Sequence, residues 1–331
     1  IEDDFGNDYL TNLEGDNYQA GSAVRVRLNF DAREETELGT LRAYARVQAE
    51  NNAYNAPNTD AAYAMDMGYI QLGGLTMGYL DTLWTEGDGL LTDTDLPVGD
   101  FQVNRVSYTY AANGFTAALS LEDDGTGDFA PDVVGRIAYE GGWGSVYLAG
   151  SYDERVDAFT FASRTGFGVD GDGDGAFALK GALSLKDLVA TDSELKFEGS
   201  YAFDPSLYSS IGIFDNGTYP TRISTAADNI AVEWQAGAGY AQSFGKMAVA
   251  FSGVYGETFD FREFDTVNAR FFDAGKADYY KLVANVGYEI TNNFDVLAEI
   301  SYADFDFDGG DGRFDNSLDQ TSGFVQFVRS F

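Results

Sequence analysis

Cysteine and histidine are both absent from the chain, and proline occurs only five times. Without cysteine there is no disulfide framework, no thiol nucleophile and no CxxC zinc site. Without histidine there is no Ser-His-Asp triad and no imidazole-ligated metal. Basic residues are scarce as well, 20 Lys and Arg against 54 Asp and Glu, for a formal charge of −34 over 331 residues. A phosphate-binding surface needs clustered cations, so nucleic acid is not expected as a partner. No stretch approaches the 18 consecutive apolar residues of a membrane-spanning helix. The opening IEDDFGND has no signal-peptide pattern, which reads as a mature or trimmed chain or as one that is not secreted.

What is present favours strands. The chain is 44% apolar, too much for disorder despite its charge, with 26 Phe, 21 Tyr and 39 Gly. Alternation of apolar and polar residues recurs almost throughout, as in AVRVRLNF (23–30) and TLRAYARVQ (40–48). In a strand such alternation puts one residue type on each face. Fifteen such runs follow residue 22, and residues 1–7 read as the upper end of a sixteenth. Connections alternate between short turns, such as Gly73-Gly74 and Ala111–Gly114, and long acidic or Gly-rich loops at about 8–20, 51–62, 81–101, 122–131, 153–175, 204–229, 256–278 and 304–321. A soluble β-sandwich would also alternate, but its long loops would not fall at every second connection. Aromatics near strand ends (Tyr110, Tyr139, Tyr240, Tyr288, Phe294, Phe331) fit an interfacial girdle. The expectation is an all-β, 16-stranded antiparallel transmembrane β-barrel, a single domain over 1–331, with long extracellular loops and short periplasmic turns.

Several stretches carry a resemblance: ETELGTLRAY (35–44), YIQLGGLTMG (69–78), GFTAALSLE (114–122), PDVVGRIAYEGGWGSV (131–146) and the closing FVQFVRSF (324–331). They resemble the major porins of alphaproteobacteria of the Brucella and Rhizobium kind. The resemblance implies a trimeric general-diffusion porin of the bacterial outer membrane, with lipid and lipopolysaccharide as neighbours and small hydrophilic solutes and ions as cargo. It also implies a third loop, here about 81–101, folded into the lumen to narrow it. Members of that family begin with a further segment holding a Cys pair and most of the first strand, so the first strand is expected to be truncated here.

Parity then assigns the candidate site. With the apolar face toward lipid, Arg25, Arg27, Arg42 and Arg46 face the lumen on two neighbouring strands, and Arg105 and Arg136 face it from strands farther round. The loop supplies Asp81, Glu86, Asp88, Asp93, Asp95 and Asp100. An arginine wall facing an acidic loop makes a transverse field that orients dipolar solutes and sets ion preference. Weak selectivity is expected, with cations slightly favoured; ion pairing that holds the loop in place is the plainer role for the same arginines. Glu198, Glu233 and Glu299 read as pore lining, and without a His partner none of them suggests an enzyme.

No cofactor is expected. The run VDGDGDG (169–175) places Asp170, Asp172 and Asp174 like the start of a calcium loop, but position twelve is Gly181 rather than Glu. Adventitious binding of a divalent cation such as calcium, bridging acidic loops to lipopolysaccharide phosphates, is the furthest that pattern reaches. Two other functions fit the sequence: a structural or adhesive surface barrel with a plugged lumen, and a substrate-specific uptake channel. The second would need an aromatic ladder, for which only Tyr44 and Tyr147 are placed.

Overall fold

A computed structural model describes residues 22–52, 62–123, 125, 129–154, 167–169, 175–213, 230–265, 270–308 and 316–331. All the strands among them join one antiparallel sheet of eighteen segments. Fifteen are long, and they match the fifteen alternating runs one for one: β1 Ala23–Thr36, β2 Gly39–Asn52, β3 Ala62–Leu72, β4 Leu75–Asp81, β5 Gln102–Ala112, β6 Phe115–Glu122, β7 Asp132–Gly141, β8 Gly144–Asp153, β10 Ala176–Lys186, β11 Ser193–Ala202, β13 Ile230–Phe244, β14 Met247–Thr258, β16 Arg270–Thr291, β17 Phe294–Asp308 and β18 Asn316–Arg329. Three short segments, β9 Phe167–Val169, β12 Ser210–Ile211 and β15 Phe261–Asp265, lie within the long connections. The sixteenth strand of the expected barrel, at residues 1–7, lies outside the described residues, as do Asp170, Asp172 and Asp174.

Each long strand pairs with the next in an up-and-down meander. Turn chemistry sets the register at one end. Asn113 and Gly114 both take positive φ (52° and 82°), the two-residue geometry whose twist matches that of its flanking strands, and they join β5 to β6. At the other end strands overrun the barrel. β16 has 22 residues, about 70 Å of extended chain, far more than the roughly 25 Å apolar band of an outer membrane. Its excess pairs with β15, which in turn pairs with β9, so two long connections share a small sheet of their own.

The two faces differ as the alternation requires. Val24, Val26, Leu28 and Phe30 on β1, and Val325 and Phe327 on β18, are exposed along the outside, as are Leu119, Ile137, Leu148 and Ile300 elsewhere on the wall. So much exposed aliphatic surface on a regular wall suits hydrocarbon rather than water. The buried side chains lie mainly on the inner face, many of them against the connection between β4 and β5, residues 82–101.

Candidate functional site: a loop laid across the barrel

This connection starts with a single 3-10 turn, Leu83–Thr85, capped by the Thr82 hydroxyl. Leu83 and Trp84 are fully buried against Val134, Tyr147, Ala149 and Ala178 of the wall. From there the loop runs along the inside of the barrel and touches strand after strand. Lys196 of β11 donates from Nζ to the Gly87 carbonyl at 2.8 Å. Lys180 of β10 donates to Asp88 Oδ2 at 2.8 Å and to the Val98 carbonyl at 3.0 Å, with its ammonium 4.8 Å from the Trp84 ring centroid. The Thr92 and Ser252 hydroxyls meet at 2.5 Å, linking the loop to β14. At the tip, the backbone N–H groups of Asp93 and Thr94 donate to the two oxygens of Glu299 on β17, at 2.8 and 2.7 Å. The return leg is held where Gln235 of β13 donates to the Leu96 carbonyl at 2.7 Å and Trp84 Nε1 donates to the Val98 carbonyl at 2.8 Å.

Glycine makes the closest approach feasible. A Cβ on Gly239 of β13 would lie 1.8 Å from the Leu90 carbonyl oxygen, and one on Gly237 would lie 2.5 Å from the Leu90 side chain. Both positions share the lumen-side parity of Gln235, so the loop's backbone rests where the wall has no side chains.

The arginines divide into two groups. Arg105 on β5 and Arg136 on β7 have the expected parity but do not border open water. They lie beneath the start of the loop, about nine-tenths buried, with Arg105 3.9 Å from Glu122 and Arg136 3.7 Å from Glu86 and over the Tyr147 ring. Parity gives a residue's face, and the loop decides whether that face is wet. For the same reason Glu299 and Glu198 are not plain pore lining: Glu299 holds the loop tip, and Glu198 is buried and accepts from the Tyr147 hydroxyl at 2.8 Å. That contact removes Tyr147 from any aromatic ladder. Glu233 pairs with Lys276.

Arg25, Arg27, Arg42 and Arg46 do share one exposed or half-exposed face of β1 and β2, joined there by Arg33. Most have acidic partners on the same wall. Arg25 pairs with Glu50 at 2.7 Å, Arg46 pairs with Asp66, and Arg33 and Arg42 both pair with Asp31 at 2.8 and 2.9 Å. Arg27 donates to the neutral amide oxygen of Gln48 at 3.1 Å. Arg42 also lies over the stacked rings of Tyr44 and Tyr69, whose centroids are 5.1 Å apart. The wall therefore carries a lattice of ion pairs with a small positive surplus, not a row of bare cations.

The loop's acids divide similarly. Asp88 is neutralised by Lys180, Glu86 leans toward Arg136, and Asp81 accepts from Gln102 Nε2 at 3.0 Å. Asp93, Asp95 and Asp100 line a cavity of about 480 Å³ in which Lys196 is the one basic lining residue. Burial raises the carboxyl pKa of all three; Asp95 reaches about 6 even though it accepts the Leu90 N–H. Asp93 is raised further by Glu299 and is lowered by the field of Arg25 across the lumen.

A second loop locks the first. Its segment 205–211 dips inward through a 3-10 turn, Leu207–Ser209, and pairs with β13 through β12. Tyr208 is fully buried, edge-on to Trp84 and Phe101. Its hydroxyl lies 3.0 Å from Glu122 Oε2 and 3.1 Å from Asp132 Oδ2. Burial and those two carboxylates hold the phenol far above its usual range, so it remains a donor. Neither Tyr208 nor the anchors Lys180, Lys196 and Gln235 carry a sequence signal; the two lumen-side glycines of AGAGY (236–240) were a legible one.

Comparison with known proteins bears on the barrel and the family. The family described as Porin subfamily matches residues 6–323. Porin Omp2b of Brucella melitensis is 26% identical over 353 residues, covering 98% of this chain and 81% of that protein. Among solved structures, the outer membrane channel DcaP of Acinetobacter baumannii superposes with a TM-score of 0.54 at 12% identity, covering 92% of this chain and 96% of the other. OmpF of Salmonella typhi, in complex with daunomycin, gives 0.53 at 12% identity, covering 92% and 91%. At such identities these structures speak for the fold alone, the sixteen-stranded antiparallel porin barrel. With strands for spans, a loop across the lumen and a family match over nearly its whole length, the chain belongs to the porin subfamily and forms a passive diffusion channel in the bacterial outer membrane.

Proposed function

We propose that solutes and ions pass between the tip of the 82–101 loop and the arginine-bearing face of β1 and β2, and that this opening weakly prefers cations. The observation that carries the reading is the unequal pairing of charge on its two sides. Across the lumen the arginines mostly have carboxylates on their own wall, whereas Asp93, Asp95 and Asp100 line two adjoining cavities in which carboxylates outnumber the basic residues Lys196 and Lys281, and the Lys196 ammonium donates to the Gly87 carbonyl. Acidic charge near the narrowest point attracts cations and repels anions. The assembly proposed is a homotrimer, on the strength of family membership. A substrate-specific channel is the second reading, favoured by the stacked Tyr44 and Tyr69 under Arg42, a flat surface on which a planar solute could rest.

Single-channel recording in a planar bilayer under a salt gradient tests both readings. The expected result is a large conductance closing in three equal steps, with a reversal potential displaced modestly toward that of the cation. Anion preference overturns the charge argument, and concentration-dependent block by an aromatic carboxylate would favour the second reading.

A further inference from the structure

The constriction loop is fastened along its length by groups on the wall, with one exception. At its root, where it leaves β4 and rejoins β5, a second connection holds it. Glu122, fully buried at the end of β6, accepts from the Thr82 hydroxyl at 2.5 Å, the Leu83 N–H at 2.9 Å and the Tyr208 hydroxyl at 3.0 Å. Thr82 and Leu83 open the constriction loop, while Tyr208 belongs to the long connection between β11 and β13. The two loops also touch directly, since the Gly99 N–H donates to the Ser210 carbonyl at 2.7 Å. Gly99 has φ +72°, and a Cβ there would lie 2.7 Å from Trp84 Nε1 and 2.8 Å from the Tyr208 carbonyl. Both legs of the constriction loop are thus clasped by residues 208–210.

We propose that Tyr208 is a positioning residue of the pore: it ties the root of the constriction loop to the β11–β13 connection, so that the seating of that outer connection is read out as the position of the loop in the lumen. The proposal rests on the reading that residues 82–101 bound the conducting path. The chemistry suits a clasp. A phenol with one proton between two buried carboxylates satisfies one fully, and the Thr82 and Leu83 donors bond to Glu122 as well. Removing the phenol oxygen leaves the ring packing on Trp84 and Phe101 but costs Glu122 and Asp132 a donor within the barrel. The root can then shift, while the Lys180, Gln235 and Glu299 anchors still hold the rest.

Tyr208→Phe is compared with the parent by single-channel recording, with the heat-dependent gel mobility of the folded barrel as the control for assembly. The expected result is a folded trimer whose open-channel current noise rises severalfold and whose mean conductance changes. Thr82→Val should behave alike, because it removes another donor from the same carboxylate. Ser209→Ala separates a clasp from simple packing. Among the described residues the Ser209 hydroxyl bonds with the Ser206 backbone alone, within the outer connection, so increased noise there means that the outer loop is read at the lumen. Parent-like noise and conductance in both Tyr208→Phe and Ser209→Ala would overturn the proposal. If Tyr208→Phe fails to assemble, Ser209→Ala decides alone. A parent protein that folds but never conducts would instead refute the underlying reading of the pore.

Discussion

The barrel has two inner faces built from similar residues that behave differently. On β5 to β11, Arg105, Arg136 and Lys180 lie under the loop with loop or wall carboxylates against them. On β1 and β2, Arg25, Arg27, Arg42 and Arg46 keep contact with the lumen, and all but Arg27 pair with carboxylates of their own wall. Burying an ion costs several kcal/mol unless it is well paired, and breaking such a pair leaves an uncompensated charge. An exposed pair contributes little to stability, but its charge still acts on a passing ion. The covered face therefore sets where the loop sits, and the open face sets what the loop's acids are measured against.

The largest effect should come from the covered face. Lys180→Met leaves Asp88 without its cation in a buried setting, and the Val98 carbonyl loses a donor. Breaking a buried pair costs about 3–5 kcal/mol, here spent on loosening the loop rather than the barrel. The expected outcome is a folded channel with a noisier, altered conductance. Lys180→Met combined with Asp88→Asn should recover most of the parent behaviour, because no charge is then stranded. If the single variant conducts like the parent, the loop is held elsewhere.

A smaller effect, of a different kind, belongs to the open face. Arg25→Glu with Arg27→Glu reverses two charges beside the lumen and breaks only an exposed pair and a bond to Gln48. Thermal stability should change by less than about 1 kcal/mol, while the reversal potential moves toward stronger cation preference. An unchanged reversal potential would place those arginines off the ion path. Together the two variants test whether seating and selection are separable.

The strands were legible because a two-residue period is written into each one, and all fifteen long strands fall where alternation puts them. The lumen face was legible for the same reason. Depth on that face was not. Arg136 and Arg46 share lumen-side parity, and a loop from another part of the chain buries the first. Lys180, Glu299 and Tyr208 are ordinary letters locally; their roles arise from contacts spanning 76 to 206 residues of sequence. Gly237 and Gly239 are the exception, since two missing side chains at lumen-side spacing mark a place where another backbone can lie.

The smallest effect should be a pH dependence, and its sign is fixed by the direction of the carboxyl shifts. Asp95 titrates near 6, and Asp93 and Asp100 are also raised above the ordinary carboxyl range, so the loop tip loses negative charge as pH falls from 7 toward 5. Cation preference should therefore weaken over that interval, by less than the double arginine reversal changes it, because a single full charge is at stake at Asp95. Loop release would not explain the same change. A carboxyl raised in the folded state binds its proton more tightly there than in the unfolded chain, so ionising it as pH rises from about 4 to about 6 lowers stability, and acidifying across that range favours the seated loop. Asp95→Asn should flatten the pH profile of the reversal potential around pH 6. If the profile keeps its midpoint near 6 in that variant, the titrating charge lies elsewhere, and the acidic tip is not the side of the opening that selects.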